Sequence, residues 1–217
     1  MISKKTQLID IETKYFNLWK KKLKKNNCKL LNYKKVGQIL RIKENQFITA
    51  LYDTTIKRTN SHEITRYITI VKPSVIIVPL LYLDHQVYTM LVSQTRVYDG
   101  SEIHEFPAGS IDFGQKPVDA AINELREELH LNFKRKDLKR PYNKPIMIEP
   151  SCTSNVSYFF YFKMNIKKQF LKKFHLKKTG DKLHGEKIKI KIKKINQIHN
   201  FNSASIHVGL NLVKKYI

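Results

Sequence analysis

The most constraining part of the sequence is a helix predicted to begin at Pro117, a residue suited to the first turn of a helix. Its glutamates, Glu124, Glu127 and Glu128, stand at i, i+3 and i+4, so all three share one face. Its apolar residues recur at offsets of three or four and form a single stripe: Val118, Ala121, Ile122, Leu125 and Leu129. The pattern predicts an amphipathic helix whose apolar face packs on a core.

Strand-like segments lie on both sides of this helix, separated by polar breaks and turn residues. The predicted strands are Val36–Ile42, Phe47–Thr55, Glu63–Val71, Val75–Leu83, Gln86–Ser93, Pro145–Glu149, Val156–Met164 and Glu186–Ile192. A loop is predicted over Asp99–Lys116, and a closing helix runs from the cap residue Ser203 to about Tyr216. Mixed strands with a few helices predict an α/β or α+β sandwich.

The first 27 residues are basic and have apolar residues at helical spacing. Transit peptides are normally poor in acidic residues, so Asp10 and Glu12 argue against that function. An N-terminal helix that packs on the domain is therefore favoured over a targeting segment.

Two further features concern the compartment. The longest apolar run, Val75–Leu83, is too short to cross a membrane, so no membrane span is predicted. Cys28 and Cys152 are too few and too isolated for a disulfide framework or a zinc site. We therefore expect a reducing compartment, the cytoplasm or the mitochondrial matrix, rather than secretion.

The formal net charge of +23 allows two interpretations. A positive field of this size attracts nucleic acids and other polyanions. However, only seven of the 41 basic residues are arginine, and abundant Lys, Asn and Ile are also typical of an AT-rich genome. The lysine-dense segment from Lys163 to Lys194 is therefore either a binding surface for RNA or a solvated face.

The three glutamates have a comparable pair of interpretations. Like charges one turn apart destabilise an isolated helix, and a hard cation such as Mg²⁺ would offset that repulsion. The alternative is a solvated acidic face. The loop ahead of the helix favours the cation, because Glu105–Gly114 (EFPAGSIDFG) ends in a glycine-punctuated turn close to Glu124.

This loop and helix resemble the Nudix box, in which a glycine and a glutamate precede an Arg-Glu-hydrophobic-any-Glu-Glu helix. The residues in register are Gly109, Glu124, Leu125, Glu127, Glu128 and Leu131. The approach Glu-Phe-Pro-Ala-Gly, with Val92–Arg96 upstream, resembles the ADP-ribose and nucleotide-sugar pyrophosphatase branch. Glu149–Asn155 and Gly185–Ile188 are similar to two later loops of that branch.

The resemblance covers residues 36–217, the Nudix domain, and implies an α/β/α sandwich with a mixed sheet and N-terminal antiparallel strands. Residues 1–35 lie outside it and are predicted, from their apolar spacing, to form a basic helical extension with an extra N-terminal helix. Within that domain, residues 36–72 would form the N-terminal strands and residues 73–217 the catalytic-type core. Membership of this branch also implies a homodimer.

The resemblance further implies Mg²⁺- or Mn²⁺-dependent hydrolysis of a nucleoside diphosphate derivative, ADP-ribose or a nucleotide sugar, to two monophosphates. The metal ligands would be the Ala108 carbonyl with Glu124 and Glu128, and Glu127 at a second ion. Glu127 and Glu186 are the predicted catalytic residues. The predicted substrate-binding residues are Arg96, Glu105 and Asn155, with bracing of the loop as the alternative role of Arg96 and Glu105.

Four positions depart from the family pattern. Gln115, Asn123 and His130 stand where the box has Glu, Arg and Gly, and Asn155 replaces a substrate-contacting Glu. These departures support an alternative function: a weakly active or inactive Nudix domain that serves as a basic structural or RNA-associated subunit of a larger assembly. A third hypothesis, mRNA decapping, uses the same helix, but the Glu-Phe-Pro-Ala-Gly approach points away from it.

Overall fold

A computed structural model describes residues 3–97, 99–180 and 188–217 of the chain, which divides into two compact units. The first unit runs to Pro73 and includes residues 112–114 and 147–156. The second contains residues 74–111, 115–146 and 157–217. No helix in the described part of the chain is both long and apolar enough to span a bilayer.

The first unit packs one helix on a three-stranded antiparallel sheet. It contains α1 (Lys4–Lys25), β1 (Cys28–Arg41), β2 (Gln46–Arg58) and β3 (Glu63–Val71), with the strands in that order. Ser3 caps the N-terminus of α1, because its hydroxyl accepts a hydrogen bond from the Thr6 N–H at 3.2 Å. The N-terminal helix and antiparallel strands expected from the sequence are therefore confirmed.

An ion pair stabilises the buried face of α1. The Glu12 carboxylate is 1% exposed, which would be costly without partners. It accepts hydrogen bonds from Tyr52 Oη and Lys35 Nζ, each at 2.6 Å. The acidic residue that argued against a transit peptide thus fixes α1 to β1 and β2.

The second unit is built on a mixed seven-stranded sheet with the order β7-β4-β5-β10-β9, where β6 pairs with β5 and β8 pairs with β4. Its strands are β4 (Ser74–Leu83), β5 (Gln86–Thr95), β6 (Glu102–Glu105), β7 (Ala108–Ser110), β8 (Ser157–Asn165), β9 (Lys178–Thr179) and β10 (Ile188–Lys194). Strands β4 and β8 run parallel and the other pairs are antiparallel. The mixed sheet is as predicted.

Helices cover both faces of this sheet. Helix α2 (Pro117–Leu129) buries Ala121, Leu125 and Leu129 on one face, where α3 (Lys168–Phe174) also packs. Helix α4 (Ala204–Val213) buries Ile206, Leu210 and Val213 on the other. A Cβ at Gly209 of α4 would lie 2.7 Å from Phe106 Cε2, so only glycine allows this close packing. The second unit is thus an α/β/α sandwich, as predicted.

Several predicted element boundaries are wrong. Strand β1 begins at Cys28 rather than Val36, because Cys28–Leu30 also pair with β2. The predicted loop Asp99–Lys116 contains the short strands β6 and β7, each held by a neighbouring strand. The predicted strand Pro145–Glu149 is absent from the described residues, where Ile146 forms a single bridge to Ser157. Proline lacks the N–H that a longer ladder would use.

Candidate active site

Helix α2 forms as the sequence predicts and is fixed at both ends. Pro117 occupies its first turn, and the Asp119 carboxylate accepts two hydrogen bonds from the Arg135 guanidinium, at 2.6 and 2.7 Å. This bidentate contact lowers the pKa of Asp119. At the other end, His130 adopts the left-handed conformation, with φ of 54°, and its N–H donates to the Arg126 carbonyl at 3.1 Å.

Strand β7 and α2 bring the box glycine against a box glutamate. Gly109 pairs with Val75 of β4, which fixes β7 to the sheet beneath α2. A Cβ built on Gly109 would lie 1.7 Å from Glu124 Oε1 and 1.9 Å from its Cδ. The Glu124 carboxylate therefore packs directly on the backbone of β7, and a side chain at position 109 would displace it.

Glu128 contacts the same strand one helical turn later. Its Oε2 accepts a hydrogen bond from the Ala108 N–H at 3.1 Å, and the residue is only 5% exposed. Its backbone carbonyl accepts a hydrogen bond from the Thr179 hydroxyl at 2.6 Å, which ties β9 to the end of α2. Two carboxylates thus lie against the backbone of Ala108 and Gly109, whereas Glu127 is solvent-exposed.

These residues fit a hard divalent cation in their chemistry. Carboxylate and carbonyl oxygens are the ligands that Mg²⁺ prefers, and both types occur where Glu124 and Glu128 meet β7. Within the described residues, His, Cys, Asp and Glu side chains do not form a preassembled metal-binding group of three. The metal-ligand assignments therefore remain predictions supported by donor chemistry.

Arg96, just after β5, and Glu105, at the end of β6, form an ion pair. Arg96 Nε donates to Glu105 Oε2 at 2.8 Å, and Nη2 lies 2.7 Å from the same oxygen. Because Glu105 ends β6 just before Ala108, the pair links the end of β5 to the approach of the glutamate site. This ion pair between Arg96 and Glu105 therefore braces the loop that leads to β7.

The remaining predicted residues are not all assembled in this unit. Asn155 belongs to the first unit, where its N–H donates to the Thr153 hydroxyl at 3.2 Å. Glu186 lies outside the described residues. Asn123 Oδ1 accepts a hydrogen bond from Arg126 Nη2 at 3.0 Å, and Gln115 is half-buried ahead of α2.

One residue that sequence analysis missed is Arg140. Its Nε and Nη2 are buried and lack a hydrogen-bond partner among the described residues, and its guanidinium carbon lies 5.3 Å from the Tyr158 ring centroid. Tyr158 pairs with Val75, the strand partner of Gly109, so Arg140 lies near the same row of the sheet. Buried nitrogens without acceptors are rare and suit an anionic ligand. A single arginine in an irregular segment gave no signal in the sequence.

The sheet between α2 and α4, with box glutamates packed on a box glycine, has the arrangement of a Nudix-like fold. A solved structure described as "Crystal structure of ADP compounds hydrolase" has this fold, with a TM-score of 0.62 at 17% identity over 88% of this chain and 94% of that one. No protein-family model matches the sequence.

A sequence relative points in the same direction. The chain is 29% identical over 132 residues to Nudix hydrolase 14, chloroplastic, of Arabidopsis thaliana, over 55% of this chain and 41% of that protein. The chain therefore spans less than half the length of this relative. Sequence and fold together confirm the resemblance to the Nudix superfamily.

Proposed function

We propose that this protein is a Mg²⁺-dependent hydrolase that converts ADP-ribose or a nucleotide sugar into two monophosphates. The observation that carries the proposal is the placement of the Glu124 and Glu128 carboxylates on the Gly109–Ala108 backbone, at the helix of a Nudix box. Carboxylate oxygens are ligands that Mg²⁺ prefers, so the position of Glu124 and Glu128 on this backbone supports a cation-binding role.

Several carboxylates and one backbone carbonyl of this chain would bind the metal and position the attacking water. Glu124, Glu128 and the Ala108 carbonyl would hold the metal, with the exposed Glu127 available to a second ion. When bound, Mg²⁺ supplies Lewis-acid stabilisation of the charge on the diphosphate. We assign Glu186 to positioning or deprotonating the attacking water, a role suited to a carboxylate. Its substitution by Gln should lower kcat.

Two arginines would bind the anionic substrate. The Arg140 guanidinium has buried nitrogens that a phosphate oxygen can satisfy. Arg96 is held by Glu105 at the end of β6. Arg140→Gln is therefore expected to raise KM more than it lowers kcat. The free thiols of Cys28 and Cys152 are compatible with the proposed cytoplasmic or matrix compartment.

Turnover of a small substrate panel tests the proposal. ADP-ribose, ADP-glucose, UDP-glucose and capped RNA are incubated with the full chain, with Mg²⁺ or with EDTA, and the monophosphate products are quantified. We expect release of AMP from ADP-ribose or ADP-glucose, or of UMP from UDP-glucose, with Mg²⁺ only. Turnover of capped RNA alone would favour decapping, and no turnover of any substrate would favour the scaffold function.

A further inference from the structure

A cavity lies in the second unit, away from the glutamate site. It has a volume of about 550 Å³ and is lined by the segment after α2, the end of β8 and the segment after α4. We refer to it as the Tyr216 cavity. Lys163 of its lining pairs with Leu80 of β4, whereas Gly109 pairs with Val75 of the same strand. At about 3.3 Å per residue, the two positions are roughly 16 Å apart along the sheet.

The lining of the Tyr216 cavity is positively charged. Lys136, Lys139 and Lys163 contribute three exposed ammonium groups against one acidic residue, Asp137. Asp137 Oδ2 already accepts a hydrogen bond from the Lys134 N–H at 2.8 Å, so its charge helps to hold the loop. An anion entering the cavity would therefore meet a surplus of positive charge.

Aromatic rings accompany these lysines. Tyr161 and Tyr216 stack with their centroids 4.5 Å apart, and Phe133 packs on Phe162 at 4.3 Å. Lys163 Nζ lies 5.5 Å from the Tyr216 centroid. Hydrogen bonds from Lys215 and Tyr161, with a smaller effect of the nearby Lys163 charge, lower the pKa of the Tyr216 phenol.

We propose that the Tyr216 cavity binds a nucleoside phosphate, either as a free nucleotide or as one unit of single-stranded RNA. Rings beside lysines suit a ligand that carries both a flat base and a phosphate. Bases stack on aromatic side chains, and the lysine ammonium groups neutralise the phosphate charge of the nucleotide. The volume is within the range of small-molecule sites, which is about 300–1,000 Å³. Inorganic phosphate would leave the half-buried rings of Phe133 and Tyr216 unused.

Binding is measured by fluorescence anisotropy of a labelled oligouridylate, with AMP as competitor and EDTA present to keep the hydrolase site free of metal. The test variant is Lys136→Gln, Lys139→Gln, Lys163→Gln. The control removes the same charge from exposed positions of α1: Lys21→Gln, Lys24→Gln, Lys25→Gln. We expect the cavity variant to bind RNA about tenfold more weakly than the control at equal salt. Equal losses in the two variants, or a wild type that binds neither the labelled RNA nor AMP, would overturn the proposal.

The ring contribution is tested at Tyr216. Tyr216→Phe keeps the ring and should retain wild-type affinity, whereas Tyr216→Leu should weaken binding by about fivefold or more. A thermal melt of each variant verifies folding, and the phenylalanine variant is informative even if the leucine variant unfolds. If AMP displaces RNA from the wild type but not from the triple lysine variant, the cavity binds free nucleotides. RNA binding without AMP competition assigns it to an RNA segment. Loss of RNA affinity in Tyr216→Phe, or full affinity in a folded Tyr216→Leu, would contradict the stacking role.

Discussion

Gly109→Ala should lower the activity of this protein while leaving its stability almost unchanged. The new Cβ would lie 1.7 Å from Glu124 Oε1, and ordinary contact begins at 3.4 Å. The carboxylate must therefore retreat by about 1.7 Å, while the strand backbone at position 109 has no positive φ that would exclude alanine. The group that moves is the end of a flexible side chain.

The expected effects follow from that geometry. Alanine in a compatible backbone reduces the entropy of the unfolded chain by about 0.4–1 kcal/mol, which offsets the local rearrangement, so the melting temperature should change little. A catalytic group misplaced by about 1 Å can lower turnover by roughly 100-fold. We therefore expect turnover to fall by about two orders of magnitude in a folded protein.

The assay combines a thermal melt with Mg²⁺-dependent turnover of the best substrate in the panel. Gly37→Ala in β1 is the matched control, because a Cβ there meets nothing within 4 Å. Full activity of Gly109→Ala would show that the contact between Glu124 and Gly109 has no part in catalysis. A large loss of stability would show that the carboxylate cannot move aside.

Three further changes test other parts of the account. His130→Gly should stabilise the fold by about 1 kcal/mol in urea unfolding, because position 130 has φ of 54°; an unchanged midpoint would contradict this. Burial and the nearby Lys191 hold the pKa of His104 below its usual 6.5, so unfolding free energy should fall as pH drops below 6.5, and His104→Gln should flatten that dependence. An equal slope in the variant would exclude His104 as its source. Gln115→Glu with Asn123→Arg should raise turnover more than either single change, because charge-assisted contacts are roughly twice as strong as neutral ones; equal or additive rates would argue against a linked pair.

The sequence predicted the parts of this fold whose signal is local. The apolar stripe and Pro117 identified α2, and the apolar run from Val75 identified β4. Strands β6 and β7 have only four and three residues, which is too few for a local periodicity to reveal them. Strand β6 pairs with the preceding β5, and β7 pairs with the more distant β4. At Pro145–Glu149 the apolar character is real, but a single bridge replaces the predicted ladder.

Only part of the candidate site was predictable, because only part of it depends on local spacing in the sequence. The spacing of Glu124 and Glu128 placed them on one helical face, and the structure adds that this face lies on Ala108 and Gly109. That contact depends on how β7 pairs with β4, which residue spacing does not determine. The buried guanidinium of Arg140 likewise depends on tertiary packing.

The most direct test of the account is Mg²⁺-dependent turnover of the wild type against Glu124→Gln, Glu128→Gln. The double change Glu44→Gln, Glu63→Gln is the matched control, since it removes the same charge from residues that form surface ion pairs. If the two box carboxylates hold the metal, the first variant should lose Mg²⁺-stimulated release of monophosphates, and the control should keep the wild-type rate. Equal rates in the wild type and the box variant would contradict the proposed site.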